Sequence, residues 1–219
     1  MLLFANNFEP SFLLGAFLGV LIGMTVHEFA HNYVAHLMGD PYPQRSGRLT
    51  LNPMVHIYWP GFIMFLIIGF GILGTAPIAA QRMRNPRWGY LAAVAAGPFS
   101  NLLLAIVLGI VFRILFGMNS SQFLIELLYY MIVFNVLQFV FNLLPMFPLD
   151  GWHITLALLP PEQAYWWKRQ AQNSQFVFFA LILISFILPP GSPLNILSLI
   201  LTRPLYAIVG AIIGLPVGI

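Results

Sequence analysis

The sequence predicts an all-α polytopic membrane protein. It has five to six transmembrane helices, with a short β or re-entrant element between the first helix and the one containing AGP. Three observations predict this class. Hydrophobic residues make up 60% of the 219 and charged residues 7%, against about 25% charged in soluble domains. Mean hydropathy is +0.88. Apolar segments recur at about 11–38, 59–75, 89–116, 122–149, 173–189 and 194–217. All but the punctuated 59–75 are read as long enough for a helix to cross the hydrocarbon core, which takes roughly 20 residues with a range of about 17–25. Length suggests one domain over 1–219.

The first segment, SFLLGAFLGVLIGMTVHEFAHNYVAHLMG, contains TVHEFAHN at 25–32. MLLFANNFEP before it has neither a positive n-region nor a small-residue cleavage site, so no removable signal peptide is expected. The second segment is short, and Pro60, Gly61, Gly69, Gly71, Gly74 and Pro77 punctuate it. Charge argues that it re-enters. If 59–75 returns to the side it left, Arg45, Arg48, Arg82, Arg84, Arg87, Lys168 and Arg169 share one face, and the connections near 117–121 and 190–193 carry no charge. That is a positive-inside pattern with the N-terminus outside.

Between the first two segments, RLTL is an alternating run that can pair as a strand, and residues 44–51 are a candidate edge for an extended peptide. The connection at 160–172, PPEQAYWWKRQAQ, reads as an interfacial loop anchored by Trp166 and Trp167 beside Lys168 and Arg169. The chain lacks cysteine, which excludes disulfides and thiolate metal sites. Its +3 net charge is spread over short loops rather than gathered in a patch, which argues against nucleic-acid binding.

His27 and His31 are four apart, so on a helix their rings share one face and can grip one ion. With Glu28 they form HExxH, in which the glutamate serves as general base to a zinc-bound water. The competing reading is a pair of histidines satisfied by core hydrogen bonds. Ionisable groups inside a membrane helix are expensive, which favours function. Catalytic zinc takes three protein ligands and keeps a fourth position open. Candidates for the third are His36, Asp40, His56, His153, Asp150 and Glu126. His36 is nine residues from His27 and half a turn out of phase. Asp40 sits between Gly39 and Pro41, where a turn or capping role is expected.

In NLLPMFPLDG, 142–151, Pro145 and Pro148 unwind an apolar helix and Asp150–Gly151 reads as a turn, leaving a carboxylate near the membrane interior. Asn135, Gln138 and Asn142 form one polar stripe on that helix. Such a stripe is either inter-helix glue or the lining of a polar cavity; Asp150 at its end favours the cavity.

HEFAH, GD, GRLTLNP, AGPFSN and FNLLPMFPLDG together resemble the site-2 protease family of intramembrane zinc metalloproteases, in its compact prokaryotic form without PDZ or CBS domains. The resemblance covers about residues 20–155. It implies His27, His31 and Asp150 as Zn²⁺ ligands, Glu28 as general base, and Asn142 as an aid to substrate positioning or the oxyanion. It also implies a transmembrane-helix substrate protein, a bilayer setting and a prokaryotic cytoplasmic membrane. Substrate identity, pathway and oligomeric state are not implied. Gly97, Pro98 and Asn101 match the AGPxxN helix, where close helix packing is expected.

Two departures stand out. GILGTAPIAAQ has Ala76 where such proteins usually read the lysine of GWAKPVPVN, and His56–Ile57–Tyr58 stands where HIDP is common. Neither position is an expected ligand, so a substrate-facing loop of altered shape or charge is expected. Two other classes compete: a catalytically silent homologue serving as a subunit of a membrane complex, and a transporter or proton path. No internal repeat supports the latter.

Overall fold

The computed structural model describes residues 9–69, 71, 73–74, 76–189 and 191–215; residues 1–8, where no signal peptide is expected, lie outside them. Helix α1 spans Pro10–Leu37 and begins on a proline, whose fixed φ suits a first helical turn and whose missing N–H is not needed there. Two one-turn helices follow, α2 (Tyr42–Arg45) and α3 (Pro53–His56), then α4 (Trp59–Ile68). Helix α5 (Pro86–Gly117) starts where the Asn85 side chain accepts from the Trp88 amide, 3.1 Å. The rest are α6 (Gln122–Asn142), α7 (Asp150–Leu158), α8 (Pro161–Arg169), α9 (Ala171–Ile187) and α10 (Ile196–Ile213).

Helices α1, α5 and α6 pack against one another and form the centre. Small residues let them close in. A Cβ at Gly15 would lie 2.7 Å from the Tyr130 Cβ, and one at Gly19 would lie 3.0 Å from the Met131 Cα. Ala16, Val20 and Met24 then bury against Phe134, while Val133 and Val136 on another face of α6 pack with Ala105 of α5 and Leu205 and Val209 of α10.

Among the described residues, α1, α5, α6 and α10 are long and apolar enough to cross a membrane. The bent pair α8–α9, at 55°, is a broken span or a re-entrant loop. The chain is a multi-pass membrane protein, with four such helices among the described residues, or five if that pair is one span.

The expected re-entry is visible in the backbone. Helix α4 is only 10 residues long and ends at Gly69, whose φ of 79° is open to glycine. The chain then returns, Ile57 bridges Gly74 antiparallel, and the Tyr58 amide donates to the Leu73 carbonyl, 2.8 Å. Departure and return therefore meet.

Four expectations are corrected. RLTL forms no strand among the described residues: residues 48–51 lie in bend and irregular backbone, with no neighbouring strand to pair. Asp150–Gly151 is not an isolated turn but the start of α7, which crosses the carbonyls of Leu143 and Leu144 so closely that a Cβ on Gly151 would collide with both. Most of 160–172 is the helix α8, with Glu162 in its first turn, Lys168 and Arg169 in its last, and Trp167 stacked on Trp152 at 4.4 Å. Finally, 190–193 does not share a face with 117–121. Arg113, near the end of α5, donates to the Ala211 and Ile212 carbonyls at the end of α10, both 2.7 Å. Thus α10 runs parallel to α5, and its first turn lies toward the end of the bundle where α5 begins.

That end gathers the basic loops. The Arg84 amide donates to the Met38 carbonyl, 2.9 Å, tying the exit of α1 to the approach of α5. Arg87 donates to the carbonyls of Ala157, Leu158 and Leu159 and closes the end of α7.

Candidate metal centre

The helical repeat of α1 places His27 and His31 one turn apart on its buried face, with Nε2 atoms 3.0 Å apart. Helix α7 brings the Asp150 carboxylate to them: Oδ2 lies 3.1 Å from His27 Nε2 and 3.3 Å from His31 Nε2. Among the described residues, these are the three of their kind whose ligand atoms lie within 4.8 Å of one another.

The protons show what this cluster suits. His27 Nδ1 donates to Asn101 Oδ1, 2.6 Å, because the Asn101 amide nitrogen is itself donating to the Gly23 carbonyl. His31 Nδ1 donates to the Ala93 carbonyl, 2.8 Å. In the tautomer that zinc binding requires, each ring keeps its proton on Nδ1 and turns an Nε2 lone pair toward the other ring and toward a carboxylate oxygen. Three acceptors converge without a donor, and Asp150 Oδ2 is buried without a hydrogen-bond partner. Such an arrangement is repulsive unless a cation lies among them. Zinc–ligand bonds of about 2.0–2.2 Å in a tetrahedron give ligand separations of roughly 3.3–3.6 Å. The observed 3.0–3.3 Å reach the lower end of that range, so a small outward shift of the side chains seats the ion. The residues fit zinc.

Helix α5 completes the enclosure. A Cβ on Gly97 would strike His31 Nε2 and lie 2.8 Å from His27 Nε2, so only glycine leaves the metal position open. Asn101, expected as a packing residue, instead fixes the tautomer of His27. Its Nδ2 also reaches Asn135 Oδ1 at 3.2 Å and Gln138 Oε1 at 3.4 Å. The sequence held a signal for this role: an asparagine one turn after Gly97 in an apolar helix needs partners, and the α6 stripe supplies them.

The stripe itself divides between its two readings. Asn135 is inter-helix glue, donating to the Gly19 and Met131 carbonyls. Gln138 and Asn142 line a cavity of about 910 Å³ that also exposes His27, Glu28, His31 and Asp150. The Asn142 amide donates back to the Gln138 carbonyl, 3.0 Å.

Glu28 is 3% exposed and its Oε2 has no hydrogen-bond partner. The returning stretch of the re-entrant element covers it: a Cβ on Gly74 would sit 2.6 Å from Glu28 Oε1. Ala76 lines the same cavity.

The other candidate ligands lie elsewhere. His56 meets the Thr50 carbonyl, 2.6 Å, and Glu126 accepts from Ser11, 2.7 Å. His36 is outside the cluster. His153 lines the cavity but pairs with Tyr90. Asp40 has the expected turn role, accepting from the Tyr42 amide at 3.0 Å, and one more besides. Fully buried, it also accepts from the Ala79 amide and, twice, from Arg82 at 2.6 and 2.9 Å. It thereby ties the exit of α1 to the stretch returning from the re-entrant element. Burial opposes its ionisation, but the Arg82 guanidinium and the two amides outweigh that and hold its carboxyl below the usual carboxylate range.

No protein-family model and no solved structure matches the chain. Among curated proteins it is similar to YwhC of Bacillus subtilis, named as a candidate zinc metalloprotease. They are 37% identical over 180 residues, which is 79% of this chain and 80% of that one. Rip2 of Mycolicibacterium smegmatis, named likewise, is 30% identical over 72% of this chain, which spans 64% of Rip2. The zinc metalloprotease MJ0392 of Methanocaldococcus jannaschii is 29% identical over 68% of this chain and is matched over 35% of its own length. Likeness to YwhC over most of both chains, joined to a zinc-sized His–His–Asp cluster within an apolar bundle, places this chain in the site-2 protease family of zinc metalloproteases, with zinc as its cofactor.

Proposed function

We propose that the protein is an intramembrane endopeptidase of a prokaryotic cytoplasmic membrane, cutting a transmembrane segment of a membrane-protein substrate. The observation that carries this reading is the position of Glu28, buried on a membrane-length helix with a free carboxylate oxygen, between the two histidines of the cluster. His27, His31 and Asp150 would hold the zinc. When bound, zinc supplies a polarised carbonyl and a water acidified to a pKa of about 7.

The chain's own groups do the rest. Glu28 accepts a proton as the water oxygen adds to the peptide carbonyl carbon, then delivers it to the amine nitrogen as the C–N bond breaks. Asn142 has a second amide hydrogen and an oxygen with which to hold substrate backbone at the cavity rim. A helical substrate hides its carbonyls in its own ladder, so the cut segment must unwind. The cavity offers it Gln138 and Asn142 as polar partners among apolar walls.

The test is Glu28→Gln in proteoliposomes carrying a transmembrane peptide that the wild type cleaves. Cleavage should fall by about 10²–10⁴-fold, with zinc content equal to wild type. Full cleavage by that variant overturns the assignment.

A further inference from the structure

The cavity holds a second polar pair that neither the ligand cluster nor Glu28 uses. Tyr90 lies on the face of α5 that carries Ala93, Gly97 and Asn101, the face turned to the metal centre. His153 lies one turn beyond Asp150, on the same side of α7. Both line the cavity. The Tyr90 hydroxyl is 3.2 Å from His153 Nδ1, and the two rings meet edge to face at 6.1 Å. Phe147 packs against the imidazole as well, also at 6.1 Å. The imidazole is thus held in place beside the cluster without belonging to it.

We propose that His153 donates a hydrogen bond from its Nε2–H to the carbonyl oxygen of the peptide bond being cut, and that Tyr90 is its positioning residue. This rests on the endopeptidase reading above. A tyrosine hydroxyl donating to Nδ1 leaves the ring proton on Nε2. As water oxygen bonds to the carbonyl carbon, the C=O electron pair moves onto oxygen, and a fixed donor there stabilises the new charge. The pair returns to C=O when the C–N bond breaks. His153 keeps its proton throughout; the water proton travels by way of Glu28 to the leaving nitrogen. Asn142 is less free for this task, since its amide is already back-bonded within α6.

The experiment uses zinc-loaded full-length protein and the variants His153→Phe, His153→Gln, Tyr90→Phe and Glu28→Gln. Three quantities are read: bound zinc, kcat and KM on the transmembrane peptide, and affinity for a Leu–Leu phosphinic dipeptide amide, whose tetrahedral phosphorus mimics the attacked carbon. His153→Phe should keep its zinc, lose about 10²–10³-fold in kcat with KM little changed, and bind the phosphinate correspondingly less tightly. His153→Gln, which retains a donor, should recover part of both, and Tyr90→Phe should show a smaller loss. Wild-type kcat and phosphinate affinity in His153→Phe, with Glu28→Gln inactive, overturn the proposal and leave the endopeptidase reading standing. Loss of zinc from both His153 variants also overturns it, making His153 a support of the metal. No cleavage by the zinc-loaded wild type overturns both.

Discussion

Asn101 shows how much of a metal site can rest on a residue that never touches the metal. Its oxygen takes the His27 Nδ1 proton while its nitrogen is held by Gly23, Asn135 and Gln138. The lone pair of His27 is therefore set by hydrogen bonds that reach α1 and α6. Asn101→Ala should lower zinc affinity by about 10–100-fold, measured by competition with a chelator of known affinity. Gly97→Ala acts differently, by filling the space between the two Nε2 atoms. It should abolish stoichiometric zinc binding, read by metal analysis of the purified protein. At this scale the three members of the candidate metal cluster were legible in the sequence, because HExxH and a distant PLDG stand out in apolar surroundings. Asn101 was legible as a buried polar group in need of partners, but its pairing with His27 was not, because partners on other helices leave no spacing rule along its own.

At the scale of elements, the stretch returning from the re-entrant loop matters most. It brings Gly74 onto Glu28 and Ala76 into the cavity wall, and the Asp40–Arg82 pair holds its far end. The folded-state pKa of Asp40 is depressed. Its stabilisation is therefore fully present above the unfolded value of about 3.9 and is lost as pH falls through the lower folded value. In detergent, the difference in thermal stability between wild type and Asp40→Asn should be large at neutral pH and should vanish as the acid limb is descended. A difference independent of pH would mean that the carboxylate charge is not what anchors the loop. The sequence marked Asp40 as a turn residue from its Gly and Pro neighbours. Its second partner lies about forty residues on and comes near only because the loop re-enters.

For the whole molecule, the orientation of α10 is the largest departure from the charge pattern. An uncharged connection at 190–193 reads as belonging to the face opposite the arginines, yet Arg113 joins the far ends of α5 and α10. The chain has no native cysteine, so single-cysteine labelling in oriented vesicles tests this cleanly. Cysteines at Asn119 and Leu215 should react from the same side, and cysteines at Arg45 and Lys168 from the other. Labelling of position 215 with the arginine side would restore the charge-based topology.

By itself, the sequence determined the membrane setting, the helical class and the candidate ligand types, because hydrocarbon forces long apolar runs and leaves ionisable groups conspicuous within them. It favoured a re-entrant element over a full span at 59–75, through a short apolar run punctuated by glycines and prolines, without deciding between them. Tertiary structure alone decided that α7 starts at Asp150, that Asn101 and Gly97 face the histidines, that Tyr90 meets His153, and that α10 parallels α5. These depend on close approach between helices far apart in the chain. Helix propensity and hydropathy are nearly the same for every such arrangement, so only the fit of small residues and the pairing of buried polar groups selects among them.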